Sequence, residues 1–221
     1  MSDNASEDGP GGLRSFSGAA GQALTLVCAL IALFHLYVAI DPVVSELTRN
    51  ALHYGMFGFL AAVLYPALGP GWRENRALAL LDTIFGLAVA ASAVWLLNAE
   101  SAIYDRGVNL APMDWLAIAV AILGAVELTR RLTGFIIPAL ILLSLTYVGW
   151  WGQYVGGVFS FPGLSWETVA FRSVYGDDAM FGSIARISST TSFSSSSSGR
   201  SCCGPARGIS SSTWPARWRA S

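Results

Sequence analysis

The sequence has few charged residues and no lysine. Charged side chains make up 12% of its 221 residues and hydrophobic ones 53%, whereas a soluble domain carries roughly 25% charged residues. All 13 basic residues are arginine, which we interpret as a sign of GC-rich coding. So few charges cannot cover a globular surface, and the net charge of −1 gives no indication of a nucleic-acid partner. The composition therefore predicts a protein whose surface faces lipid.

Cysteine is also scarce, and its placement excludes two kinds of site. Cys28 lies in an apolar run, where a free thiol behaves as a small hydrophobic side chain. Cys202 and Cys203 are adjacent, which suits neither a zinc site nor a disulfide framework. There is no phosphate loop, no metal motif and no Gly-framed serine. Although Ser92 could be paired with a histidine, we expect no metal, no cofactor and no enzymatic activity.

Five hydrophobic segments have nearly the length that crosses a bilayer. A helix rises 1.5 Å per residue, so about 20 apolar residues cover a hydrocarbon core of roughly 30 Å. Pro138 stands one to two turns into the last segment, where neighbouring helices can satisfy the carbonyl that it frees. We predict an all-α fold, a polytopic membrane helical bundle of about five transmembrane helices followed by a disordered tail. The segments are 21–40, 51–68, 77–97, 113–128 and 132–151.

The arginines are distributed unequally between the two sides of the predicted spans. Five fall on the side of the N-terminus and three on the opposite side, so the positive-inside rule predicts a cytoplasmic N-terminus. We therefore expect a multi-pass protein of the bacterial inner (plasma) membrane, in contact with the lipid bilayer. The two sets are Arg14, Arg73, Arg76, Arg130 and Arg131 against Arg49, Arg106 and Arg172.

Two histidines near span ends are candidate functional residues. Ionisable groups in a membrane are expensive to bury and often mark a site. His35 lies near the end of the first span and His53 near the start of the second. Both lie close to interface depth, which favours snorkelling or a helix–helix hydrogen bond over a proton or substrate role.

Three acidic residues lie at or near the ends of spans. Asp82 is about one turn into the third span, close to Arg73 and Arg76, and we expect a charge pair or an interfacial position in preference to an ion site. Asp114 is expected to cap the fourth span, since acids favour the first turn of a helix. Glu127 and Arg131 are four residues apart on one helical face, which predicts a local ion pair.

The composition changes abruptly near Ser188. From residue 190 to residue 221 there is no acid, and serine and arginine dominate. One interpretation is a disordered low-complexity tail. The other follows from the genetic code, because serine codons TCN read one base earlier become NTC and encode Phe, Leu, Ile or Val. We therefore interpret 190–221 as an out-of-frame reading of an apolar helix, a Gly-rich break and an amphipathic helix.

A series of short motifs runs along the chain. They are ALFHLY at 32–37, Leu64-Tyr65-Pro66, Asp82, Tyr104 with Arg106-Gly107, Asp114, Glu127 with Arg130-Arg131, Gly134, and GDDAMFG at 176–182 followed by 183–189. With these motifs the chain resembles the N-terminal part of the fused permease of tripartite ATP-independent periplasmic (TRAP) transporters, in which a four-helix small subunit is joined to a large one. The resemblance covers about 19–189 and, through the shifted frame, the remainder.

The resemblance implies secondary active uptake. Such permeases use a Na⁺ or H⁺ gradient (symport) and receive substrate, often an organic acid, from a periplasmic substrate-binding protein. Their substrate and ion sites lie in the large domain, so no such residue is transferred to this chain. The implied organisation is a disordered cytoplasmic lead at 1–18, a small-subunit-like module of four helices at 19–131, the start of the large permease domain at 132–189, and the tail at 190–221.

Three functions are therefore open. The first is a membrane permease component of a TRAP-type uptake system, here a truncated fragment that does not transport by itself. The second is a stand-alone small membrane subunit of a tripartite carboxylate transporter, for which the segments 132–151 and 176–183 would be surplus. The third is a membrane scaffold protein without a transport role.

Overall fold

The computed structural model describes residues 13–40 and 43–196, and within them every regular element is helical. The prediction of an all-α fold is confirmed. Residues 1–12 of the predicted lead and 197–221 of the predicted tail lie outside the described residues. Residues 190–196, predicted as the start of the disordered tail, are instead helical. The α-helices are α1 (Gly18–Ile40), α2 (Glu46–Leu64), α3 (Arg76–Asp105), α4 (Pro112–Thr133), α5 (Ile136–Gly149), α6 (Trp166–Tyr175) and α7 (Ser183–Ser196), with short 3-10 turns at Pro70–Trp72, Trp151–Tyr154 and Gly157–Phe159.

Three of the described helices, namely α1, α3 and α4, are long and apolar enough to cross a membrane. The predicted second and fifth spans, which correspond to α2 and α5, are not among them. The first turn of α2 contains Glu46 and Arg49, and Asn50 follows them, so its N-terminal part is polar. α5 has 14 residues and is about 21 Å long, which is less than the hydrocarbon core of roughly 30 Å. The membrane class thus rests on three helices where the sequence predicted about five.

The junction between α4 and α5 differs from the predicted fifth span. α4 continues through Leu132 to Thr133 and ends at Gly134, whose φ of 82° only glycine adopts readily. α5 then begins at Ile136, so Pro138 lies in its first turn. The predicted depth of Pro138 is therefore wrong. No helical hydrogen bond is lost there, because the first N–H groups of a helix have no partner within it.

Small residues allow α2, α3 and α4 to pack closely. A Cβ atom at Gly86 of α3 would lie 3.0 Å from the Cβ of Ala62 on α2. A Cβ atom at Gly124 of α4 would lie 2.7 Å from Cγ2 of Val89 on α3. These three helices are therefore held at a separation that larger side chains would not permit.

The last two helices fold back onto the first part of the chain. Val174 of α6 and Phe181 after it are buried in the same hydrophobic cluster as Ala51, Leu96 and Ile118. Residues on both sides of the predicted domain boundary at 131 therefore share one core. The outer surface is apolar, which suits contact with lipid; exposed large side chains on α1 and α5 include Leu26, Leu30, Leu33, Ile136, Leu140 and Leu143.

Candidate functional site

A buried group of charged side chains joins separate parts of the chain at one end of the bundle. Asp82 of α3 is 2% exposed and accepts a hydrogen bond from Nη2 of Arg14 at 2.7 Å. Its other carboxylate oxygen lies 2.9 Å from Nη1 of Arg131 on α4. Glu127 binds Nε of Arg131 at 2.9 Å and Nε of Arg130 at 2.7 Å. We call these five residues the Asp82 cluster.

A charge pair was one of the two expectations for Asp82, and the structure shows it. The partners are Arg14 and Arg131, both distant from Asp82 in sequence. Arg14 was assigned to the disordered lead, yet it is 6% exposed and its Nε donates to the backbone oxygen of Arg73 at 3.3 Å. The predicted ion pair between Glu127 and Arg131 is confirmed.

The same arginines satisfy the C-terminal end of α2. The last carbonyls of a helix have no partner within it and carry partial negative charge, so cations stabilise them. Here five carbonyl oxygens at and just beyond the end of α2 accept hydrogen bonds from arginines. Guanidinium groups donate four of these bonds, and the donor to Leu64 is the backbone N–H of Arg14. The acceptors are Ala62 and Tyr65 for Arg131, Val63 and Leu64 for Arg14, and Ala67 for Arg130.

This arrangement is suited to holding helices together. Both oxygens of Asp82 already face arginine, and the backbone N–H of Ala67 adds a third donor at 3.4 Å. The guanidinium of Arg131 also lies 5.1 Å from the ring centroid of Phe85, within range of a cation–π contact. Removing one partner would leave a buried charge uncompensated, which is strongly destabilising.

The two candidate histidines contact each other. Nε2 of His35 on α1 lies 2.9 Å from Nδ1 of His53 on α2, and Nε2 of His53 lies 3.1 Å from Oγ of Ser188 on α7. Phe57 packs against both rings. A helix–helix hydrogen bond was one of the two favoured interpretations, and the structure shows it. His53 is eleven residues from the end of α2, about 16 Å along the helix, so the five candidates form two separate groups.

One polar contact was missed by the sequence analysis. Asn50 of α2 is fully buried, and its amide donates to the carbonyls of Phe181 at 2.8 Å and Gly182 at 3.2 Å. Its Oδ1 accepts from Oγ of Ser189 at 3.0 Å. The sequence signal for this contact is Asn50 itself, a polar uncharged residue directly before a long apolar run. Asn50 fixes the turn between α6 and α7 onto α2.

The opposite end of α3 and α4 is held by Asp114. Its carboxylate accepts from the backbone N–H of Ala111 at 3.0 Å, so the predicted cap of α4 is confirmed. It also accepts from Nε1 of Trp95 at 3.1 Å and pairs with Arg106. Nearby, Glu167 of α6 accepts from the backbone N–H of Leu110 at 2.7 Å. Charged contacts therefore fix both ends of the bundle.

A groove of about 900 Å³ lies between α4, α5 and α6. Its wall is mostly apolar, with Arg172, Asp177 and Asp178 among the lining residues. Within 13–40 and 43–196 there is no group of three or more His, Cys, Asp or Glu side chains placed to hold a metal ion. Comparison with known proteins gave no match to a family model, a curated protein or a solved structure.

Proposed function

We propose that this chain is a membrane permease component of a TRAP-type, ion-gradient-driven uptake system for organic acids. The observation that carries the proposal is the Asp82 cluster. Asp82, Glu127, Arg130 and Arg131 belong to the motifs that carry the resemblance, and they are also the residues that join α2, α3 and α4. The motif residues that carry the resemblance are therefore also the residues that hold these three helices together.

The other motifs support the same proposal. His35, within the motif at 32–37, bonds α1 to α2. Arg106 and Asp114 pair at the opposite end of the bundle, and Gly134 ends α4. The turn at 176–182 is the segment that Asn50 binds. These motif residues therefore form contacts between helices or end a helix.

The role that fits this architecture is that of a packing module. Arg14, Asp82, Asp114 and Arg131 are buried inside it, and many large apolar side chains are exposed on its surface, so it can anchor a larger permease domain in lipid. In this proposal that domain begins at 132 and contains the substrate site and the site for the coupling ion, Na⁺ or H⁺. A periplasmic binding protein delivers the substrate. The 221-residue chain alone does not transport.

The proposed location is the bacterial inner membrane with the N-terminus in the cytoplasm. Support comes from the Asp82 cluster, which gathers Arg14, Arg130 and Arg131 at the end of the bundle where the α2–α3 loop, with Arg73, also lies. An excess of arginine at one end is the pattern of a cytoplasmic face. A thiol reagent that does not cross membranes would label a cysteine placed at Glu74 only after the cells are opened.

The first experiment is to sequence the coding DNA from codon 180 through several hundred bases past the stop. We expect a single-base shift near codon 190 to open a long apolar reading frame. The product of that restored frame, expressed with its binding protein, should take up organic acids until the ion gradient is collapsed. The 221-residue chain should give no uptake in the same assay, and uptake by it alone would contradict the proposal.

Two outcomes favour the alternatives. If the downstream frame is closed and residues 1–133 restore uptake as well as the whole chain does, α5 to α7 are surplus and the chain is a stand-alone small subunit. If deletion of the restored gene leaves carboxylate uptake unchanged, the scaffold function replaces the transport proposal.

A further inference from the structure

The two histidines belong to a continuous chain of hydrogen bonds through three helices. Nδ1 of His35 lies 2.8 Å from the carbonyl oxygen of Ile31. Nε2 of the same ring lies 2.9 Å from Nδ1 of His53, and Nε2 of His53 lies 3.1 Å from Oγ of Ser188. Four polar groups therefore follow one another from α1 through α2 to α7.

The first bond, between His35 and Ile31, determines which atom donates in each of the following hydrogen bonds. A carbonyl oxygen only accepts, so Nδ1 of His35 carries a hydrogen and donates to Ile31. In the neutral ring Nε2 of His35 is then an acceptor, and Nδ1 of His53 must donate to it. Nε2 of His53 is consequently an acceptor as well, and the hydroxyl of Ser188 donates to it. Both neutral rings therefore carry their hydrogen on Nδ1.

We propose that His35, His53 and Ser188 form a binding site for one proton at the junction of α1, α2 and α7. A proton added at Nε2 of His53 makes that nitrogen a donor, and Ser188 accepts from it after its hydroxyl has rotated, because a serine hydroxyl both donates and accepts. The bond between the two rings is retained. The proton comes from water at the polar N-terminal part of α2, which begins at Glu46, about two turns before the half-buried His53.

The site binds one proton and not two. Once His53 is charged, its Nδ1 hydrogen can transfer to Nε2 of His35, so both rings share the added charge. A second proton would place hydrogens on both nitrogens of a 2.9 Å contact, where each would be a donor and neither an acceptor. The ring centroids are only 5.1 Å apart, so two cations would also repel each other.

Within the described residues of α1, α2 and α7, no acid supplies a counterion for a second proton. α1 carries no formal charge. On α2 the charged residues are Glu46 and Arg49, in or beside the first turn, and on α7 the charged residue is Arg186. Glu46 lies 3.7 Å from Arg186, so that acid already faces a cation. Phe57 covers both rings with an apolar face.

The experiment uses the fact that the chain contains two histidines. The full chain is labelled with ¹³C and ¹⁵N in histidine, reconstituted in lipid vesicles and studied by solid-state NMR between about pH 8 and pH 2. We expect both rings in the Nδ1–H form at high pH. On acidification both rings should shift together in one step that corresponds to one proton per chain. An Nε2–H ring at high pH, two independent steps, or no titration would overturn the proposal.

Two variants separate the site from its surroundings. His35→Gln should replace the shared step by the ordinary titration of a single ring at His53. Ser188→Ala should leave the bond between the rings and shift only the Nε2 signal of His53. Ser183→Ala, at the start of α7, is the matched control and should leave both histidine spectra unchanged. A His53 titration whose midpoint is unchanged in His35→Gln would contradict the pairing. The proton site does not depend on the transport proposal.

Discussion

Asp82 on α3 and Arg131 on α4 form an ion pair of 2.9 Å, and their side chains are 3% and 4% exposed. Arg14 occupies the other oxygen of the same carboxylate at 2.7 Å. Burying charge is costly, and the cost is offset only where each charged group has good partners. The carboxylate of Asp82 therefore joins three parts of the chain that are distant in sequence: the segment with Arg14, α3 and α4.

Asp82→Ala should destabilise the protein by about 3–5 kcal/mol, because two buried arginines lose their shared partner. Thermal unfolding in detergent, followed by tryptophan fluorescence, measures the change. The matched variant is Glu127→Ala, whose side chain is 29% exposed and whose loss water can partly compensate. Equal losses of melting temperature in the two variants would show that burial of Asp82 does not control stability.

Gly124→Ala should lower the free energy of unfolding by about 1–3 kcal/mol, the usual range for an overpacked core. The new methyl group would lie 2.7 Å from Cγ2 of Val89. Gly71→Ala is the control, since a Cβ there meets nothing within 4 Å. The same unfolding assay applies, and a Gly124→Ala variant as stable as Gly71→Ala would mean that α3 and α4 can move apart freely.

Asn50→Ala should loosen the turn between α6 and α7. Two hydrogen bonds to the carbonyls of Phe181 and Gly182 are lost, worth together about 1–3 kcal/mol. Amide hydrogen exchange at 181–183 should therefore become roughly tenfold faster. Asn98→Ala removes an exposed amide that bonds only to its own helix and should leave this exchange unchanged. Unaltered exchange in Asn50→Ala would refute the anchoring role of Asn50.

The loop after α5 should lie in the membrane interface. Residues 132–166 contain no formal charge, and Val158 is 98% exposed. An environment-sensitive fluorophore on Val158→Cys, with the native cysteines replaced by serine, should emit at shorter wavelength in lipid nanodiscs and be quenched by spin-labelled lipid. The same fluorophore on Glu74→Cys should report water. Identical emission at both positions would place the loop in solvent.

The sequence was sufficient for the helical class and for contacts within one helix. Glu127 and Arg131 are four residues apart, so helical geometry alone brings them together. The cap formed by Asp114 is likewise local, since its acceptor role involves Ala111 three residues earlier. Short-range geometry follows from the period of the helix and requires no knowledge of how helices pack.

Contacts between helices were beyond such reasoning. Arg14 is 68 residues from Asp82, and nothing in a polar N-terminal segment distinguishes a docked arginine from a solvated one. To predict the hydrogen bond between His35 and His53, one must know how α1 and α2 are rotated relative to each other. The predicted limits of the second and fifth spans are wrong because average hydrophobicity does not show that α2 runs from Glu46 to Leu64, or that α4 continues to Thr133 before α5 begins at Ile136.

The arginine contacts at the end of α2 also constrain the order in which the protein is assembled. The carbonyls of Ala62 and Tyr65 are synthesised 69 and 66 residues before Arg131, which later binds them. At about 5–20 residues per second the ribosome needs roughly 3 to 14 s to supply that side chain. During this interval water or the insertion machinery must solvate the end of α2. Closure of the bundle is therefore a step that follows synthesis of α4.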